Sequence, residues 1–136
     1  MPGSRGFVDQ VSGDVKLRRA LVPVDFSPPA DLTIEIVRRF GRALTGHHIG
    51  VDLLHVGEKA PPVRTFAASS PALPPVMLRS GHVVDAIVQA ALEFEADIIA
   101  MPTAGHHGVL DALRGSTTER VIRHAPCPVL ALSVAS

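Results

Sequence analysis

The chain has 136 residues, enough for one domain with a real core. Its charges sum to zero, so no bulk basic field argues for nucleic acid, and with no Trp, no Tyr and five Phe, base-stacking platforms are scarce. No segment reaches the roughly 18 apolar residues of a membrane span, residues 1–17 lack the apolar core of a secretory signal, and the single Cys127 excludes an internal disulfide framework; a cytoplasmic protein is the economical expectation.

Taken in chain order, residues 1–17 carry charges of both signs and little periodicity, and read as a flexible extension or a docked arm. Domain order is expected from Arg18, with residues 18–136 as one domain. Ala20–Val24 (ALVPV) is an apolar strand whose Pro23 belongs at its carboxyl end, where ladder pairing stops. Asp25-Phe26-Ser27-Pro28-Pro29 makes a turn, with Ser27 as helix cap and the prolines in the first turn. From Ala30 to Leu44, Ile34, Val37, Phe40, Gly41 and Leu44 recur at helical spacing, while Arg38, Arg39 and Arg42 are expected in solvent. Gly46 ends the helix. Ile49–Val56 (IGVDLLHV) is a second strand, parallel to the first through the helical crossover.

Residues 57–75 hold Pro61, Pro62, Pro71, Pro74 and Pro75 and no useful helical stripe, which predicts a loop with room for one brief helical turn around Val63–Ala68. A short strand, Val76–Leu78, precedes a helix over His82–Glu95 with Val84, Ile87, Val88, Ala91 and Phe94 inward. Asp97–Met101 is a fourth strand. A glycine-rich loop follows, then a short helix over Ser116–His124 with Val121 and Ile122 inward, and Val129–Val134 as a fifth strand. Alternating strands and helices with continuous apolar strands predict an α/β protein whose parallel sheet is covered on both faces.

The stretch from Met101 to Arg120 (MPTAGHHGVLDALRGSTTER) carries the chemistry. Strand, small-residue loop and helix start together form a device for holding phosphate. Ser116-Thr117-Thr118-Glu119 is a capping box, and the helix N-terminus behind it leaves amide hydrogens pointing outward with partial positive charge. Gly115 lets a ligand approach the backbone, and Arg114 stands one step away. The residues alone leave two readings: a phosphate site, or an ordinary helix start whose glycines serve turn geometry.

Three segments resemble the universal stress protein family: LVPVDFS (Leu21–Ser27), LLHV (Leu53–Val56), and Ala96–Leu130 with ADIIAMPTAGHHG and GSTTERVIRHAPCPVL. The resemblance runs from about Arg18 to Val134. It implies an open five-stranded parallel sheet of order 3-2-1-4-5 with helices on both faces, the adenine nucleotide alpha hydrolase-like architecture. The ATP-binding branch of that family shows Gly-x2-Gly-x9-Gly-Ser/Thr. Here Gly105, Gly115 and Ser116 match, and Pro102 stands where the first glycine belongs. Proline has no amide hydrogen and fixes φ near about −65°. The resemblance also implies that Asp25 borders the ligand cleft, that Pro23, Val24 and Val56 face an adenine ring, and that Met101, Thr103, Gly105, Gly115, Ser116 and Thr117, with Arg114 nearby, surround ribose and phosphates. The implied cofactor is ATP or another adenine nucleotide, with Mg2+ as a companion, and the implied partner is a second copy paired through residues 129–134, an apolar edge that is a liability if left open.

Seven histidines invite a metal reading, but His47-His48 and His106-His107 are adjacent pairs without metal-ligand spacing, so no metal is expected. His55 reads as structural, and Cys127 as packing. No nucleophile with a partnered base, nucleophile elbow or Walker lysine is found, so no enzyme is expected beyond slow ATP hydrolysis. The expected function is a stress-response protein binding an adenine nucleotide; the alternative is a regulatory or interaction dimer without nucleotide.

Overall fold

A computed structural model describes residues 16–26, 30–63, 71–103 and 117–133. In chain order the elements are β1 (Arg19–Pro23), α1 (Asp31–Thr45), β2 (Gly50–Val56), β3 (Met77–Arg79), α2 (Val83–Glu93), β4 (Ile98–Thr103), α3 (Thr117–His124) and β5 (Val129–Ser133). The five strands form one parallel sheet in the order β3-β2-β1-β4-β5, as the resemblance implies.

Side-chain alternation along the strands sorts the core into two halves. Ala20, Val22, Leu53, Ile98 and Ala100 point to one face with Ile34 and Val37 of α1. Leu21, Leu54, Ile99 and Met101 point to the other, with Ile87 and Ala91 of α2 and Val121 of α3. Each large apolar side chain so buried contributes about 1.5–3 kcal/mol. Val63 and Leu73, from the segment between β2 and β3, pack on the α1 half, and the described parts of that segment contain no helix. The brief turn expected over Val63–Ala68 lies almost wholly outside the described residues.

Several expectations are corrected. Leu17 is fully buried in the α1 half, so order begins before Arg18; residues 1–15 lie outside the described part. Helix α1 opens with Ala30 at its cap position and no side-chain capping bond; Ser27, Pro28 and Pro29, expected at the cap and in the first turn, lie outside the described residues. Arg38 is buried rather than solvated, because it sits one turn beyond Ile34 and in line with Gly41 on the buried stripe. Its Nε has no hydrogen-bond partner, nor has the buried Thr33 Oγ1. Burial pushes the Arg38 guanidinium below the ordinary arginine range, and nearby Glu35 pushes it back up. Leu44 fits the stripe by angle but lies exposed in the last turn before Gly46, whose φ of 80° makes it the left-handed cap the sequence predicts. In α3 the buried side chains are Thr118 and Val121, in line with Ala125; Ile122, a hundred degrees around the helix from Val121, is exposed. Strand β4 runs on through Pro102 and Thr103, two residues past the expected end at Met101.

Candidate functional site

In a parallel sheet of this order the chain leaves β1 toward β2 and β3, then returns to β4 on the opposite side of β1. The β1/β4 junction is therefore the topological switch point, where open α/β sheets bind ligands beyond the strand carboxyl ends. The ladder is open there. Strand β1 pairs with β2 as far as Pro23↔Leu54, and β4 pairs with β5 as far as Thr103↔Ser133. Between β1 and β4 the rungs stop at Leu21↔Ile99. Both strands continue past their last shared rung, so the crevice that this topology places beyond the strand ends has Pro23 on one side and Ala100 to Thr103 on the other.

Pro23 accounts for the end of the ladder. The Val24 amide donates to the Leu54 carbonyl on β2, so the nitrogen of the preceding residue faces β4. The next rung needs that nitrogen to donate to Ala100, and proline has no hydrogen to give.

The expected site residues are distributed unevenly. By strand alternation Pro23, Val56 and Met101 share the α2/α3 side of the sheet. Val24 is buried in the α1 half, and its amide and carbonyl are both taken by β2, through Leu54 and His55, so it does not face β4. Asp25 is exposed just past β1, where its Oδ1 accepts the Phe26 amide at 2.7 Å. Thr103 ends β4, and Thr117, exposed, is the first residue of α3. In a β-α-β arrangement with parallel strands, the α3 N-terminus lies at the carboxyl edge of the sheet, the end that attracts anions. Gly105, Arg114, Gly115 and Ser116, with His106 and His107, lie outside the described residues.

His55 takes a larger part than its sequence position suggests. It is buried near the end of β2, and its Nδ1 lies 2.8 Å from the Val24 carbonyl oxygen. A carbonyl only accepts, so Nδ1 carries the proton and donates. Phe26, itself 53% exposed, packs T-shaped with the ring at 5.6 Å between centroids and 88° between planes. A Cβ on Gly57 would come within 2.6 Å of His55 Nε2. The histidine thus takes up the Val24 carbonyl where the β1–β2 ladder ends and supports the turn carrying Asp25. A polar residue at the end of an apolar strand was its only sequence signal. The combined effect of Pro23 and Pro102 was also missed, although two prolines at the ends of two strands were visible.

Among the described residues no group of His, Cys, Asp or Glu is arranged to hold a metal ion, and no helix is long and apolar enough to cross a membrane.

An open parallel α/β sheet with a crevice at its switch point defines the class: a doubly wound domain suited to a small ligand at its carboxyl edge. Residues 67–133 match the model of the universal stress protein family. A universal stress protein of Thermus aquaticus, encoded beside a sulfhydrylase, is 39% identical over 75 residues, 54% of this chain and 55% of that protein. A universal stress protein of Archaeoglobus fulgidus has a solved structure that superposes with a TM-score of 0.62 at 27% identity, over 89% of this chain and 46% of that one. A universal stress protein solved in complex with cAMP shares the fold, with a TM-score of 0.56 at 18% identity over 88% and 98% of the two chains. The likeness is to the universal stress protein family, in sequence over residues 67–133 and in fold over most of the chain. The chain spans about half the length of the Thermus aquaticus and Archaeoglobus fulgidus relatives.

Proposed function

We propose that the protein is a stress-response regulator that binds an adenine nucleotide in the β1/β4 crevice. The observation that carries this reading is the ladder ending at Leu21↔Ile99 while the flanking ladders continue, so that the switch point is open. The spacing of Gly105, Gly115 and Ser116, which matches the ATP-binding branch, supports it further. In this reading the nucleotide alters stability or partner binding. Hydrolysis is slow at most, in keeping with a sequence that has no nucleophile elbow and no Walker lysine. Mg2+ accompanies the phosphates if they are bound. The protein acts in the cytoplasm as a homodimer paired through β5.

The test is thermal shift and titration calorimetry of the purified protein with ATP, AMP and, as control, GTP. Saturable heat and a rise in Tm with the adenine nucleotides are expected. No heat and no shift at millimolar concentration would sink the reading. In favour of the second reading, a regulatory or interaction dimer without nucleotide, stands Pro102, which denies the crevice a backbone donor. Absorbance of freshly purified protein separates the two cheaply, since the chain has no Trp or Tyr to mask a co-purified base.

A further inference from the structure

The hydrogen-bonding polarity of the crevice follows from two backbone bonds and strand alternation. The Ile99 amide donates to the Pro128 carbonyl beside β5. Residue 99 therefore faces β5, and the backbone groups of Ala100 and Pro102, next but one to each other, face β1. On the opposite wall Val24 faces β2, so Leu21 and Pro23 face β4; the Arg19 carbonyl, which accepts the Asp97 amide, keeps the same phase. A parallel ladder carried past Leu21↔Ile99 would next use the amide of residue 23 on Ala100, then the amide of residue 102 on Pro23. Both residues are prolines. The two donors that would close the crevice, or meet a ligand inside it, are missing in succession, and the carbonyls of Pro23, Ala100 and Pro102 line it. Asp25, exposed just beyond β1, adds a carboxylate at the mouth.

We propose that the β1 and β4 walls of this crevice accept ligand groups that donate hydrogen bonds and offer phosphate no donor, leaving it only the α3 N-terminus, so that the protein takes adenosine or AMP at least as well as ATP. The proposal rests on the reading that an adenine nucleotide binds here, and it names which part of the molecule the crevice holds. Ribose hydroxyls and an amino group find acceptors there. A phosphate, which offers only acceptors at neutral pH, meets carbonyl oxygens and a carboxylate. Pro102 is the specificity-determining residue, because its nitrogen faces the crevice while its pairing with Leu132 on β5 does not need an amide hydrogen at that position.

The experiment is calorimetry of adenosine, AMP and ATP with the wild-type chain, Pro102→Ala and Pro102→Gly, with urea unfolding as a check on folding. Both substitutions restore the amide; only glycine adds backbone freedom. The wild type is expected to bind adenosine within about threefold of ATP. Both variants are expected to gain about tenfold or more for ATP, the size of one hydrogen bond to a charged group, with adenosine changed by less than about threefold. Wild-type binding of ATP more than about tenfold tighter than adenosine overturns the proposal, as does a gain confined to Pro102→Gly; in either case nucleotide binding itself stands. No binding of any of the three ligands by wild type or variants overturns both.

Discussion

Substituting Gly57 by alanine tests the clamp that holds the end of β1. A Cβ there would stand 2.6 Å from His55 Nε2 and 3.0 Å from Cδ2, well inside contact distance. The ring has no free end to swing away. Its Nδ1 donates to the Val24 carbonyl at 2.8 Å, and Phe26 packs perpendicular to it with 5.6 Å between centroids. Admitting the methyl group costs the Val24 bond, about 0.5–1.5 kcal/mol, and an off-rotamer ring, about 0.5–1.5 kcal/mol. Against this stands about 0.4–1 kcal/mol gained by restricting the unfolded chain. The net expectation for Gly57→Ala is a loss of roughly 0.5–2 kcal/mol. Gly50, at the start of the same strand, is the control: its Cβ would meet nothing nearer than the Arg18 carbonyl oxygen at 3.5 Å, so Gly50→Ala is expected within about 0.5 kcal/mol of wild type. Urea unfolding of both variants, and of Gly57→Ala in a His55→Ala background, measures the terms. With the ring removed the Gly57→Ala cost should vanish. A cost that persists in that background, or one no larger than that of Gly50→Ala, refutes the clamp.

Four further outcomes are expected. Asp97 Oδ2 accepts the amides of Arg18 and Arg19 at 2.9 and 3.0 Å, tying the start of β1 to β4; Asp97→Ala should lower urea stability by about 1.5–3 kcal/mol. His82 occupies the α2 cap position in extended conformation with no side-chain capping bond; His82→Asp should raise stability by about 0.5–2 kcal/mol, read as a higher Tm. Arg38 is buried with an unpartnered Nε, so Arg38→Met should be neutral or stabilising; because burial lowers its folded pKa, stability gains from its deprotonation only as pH climbs through that lowered value, and the gain of the variant should be flat across neutral pH. The phase set by the Ile99–Pro128 bond turns the Ala131 amide away from β4 to the open edge; Ala131→Pro should shift a β5-paired dimer to monomer in sedimentation while sparing the β4–β5 ladder, and an intact dimer refutes pairing through that edge.

Element types and order were legible because each strand is a short apolar run and each helix carries a stripe, both periods being long enough to read. Finer features are less legible. The charge of Arg38 points to solvent, but its position one turn from Ile34 buries it, and Val121 and Ile122, though adjacent and apolar, cannot share one face of a helix. Proline reads as a strand breaker, yet β4 runs on through Pro102. Its register shows why it is tolerated: Pro102 pairs with β5 through its neighbours' groups and faces the vacated side of β1.

The same residue links the fold to the site. In a parallel sheet of this order the connections leaving β1 and β4 run to opposite faces and put a cleft beyond their carboxyl ends, but topology alone does not say after which rung the pairing stops. Pro23 sets that point on one wall, and Pro102 keeps the second wall from supplying the next bond. Compared with the family pattern, replacing glycine by proline at position 102 therefore does more than delete a phosphate donor. In the proposed reading it also withholds the rung that would join β4 to β1 at that point and turns the crevice toward ligand groups that donate. A loss of function by decay would be expected to leave the opening free to close; an opening held by proline on both walls is the arrangement that a site for a donor-rich ligand requires.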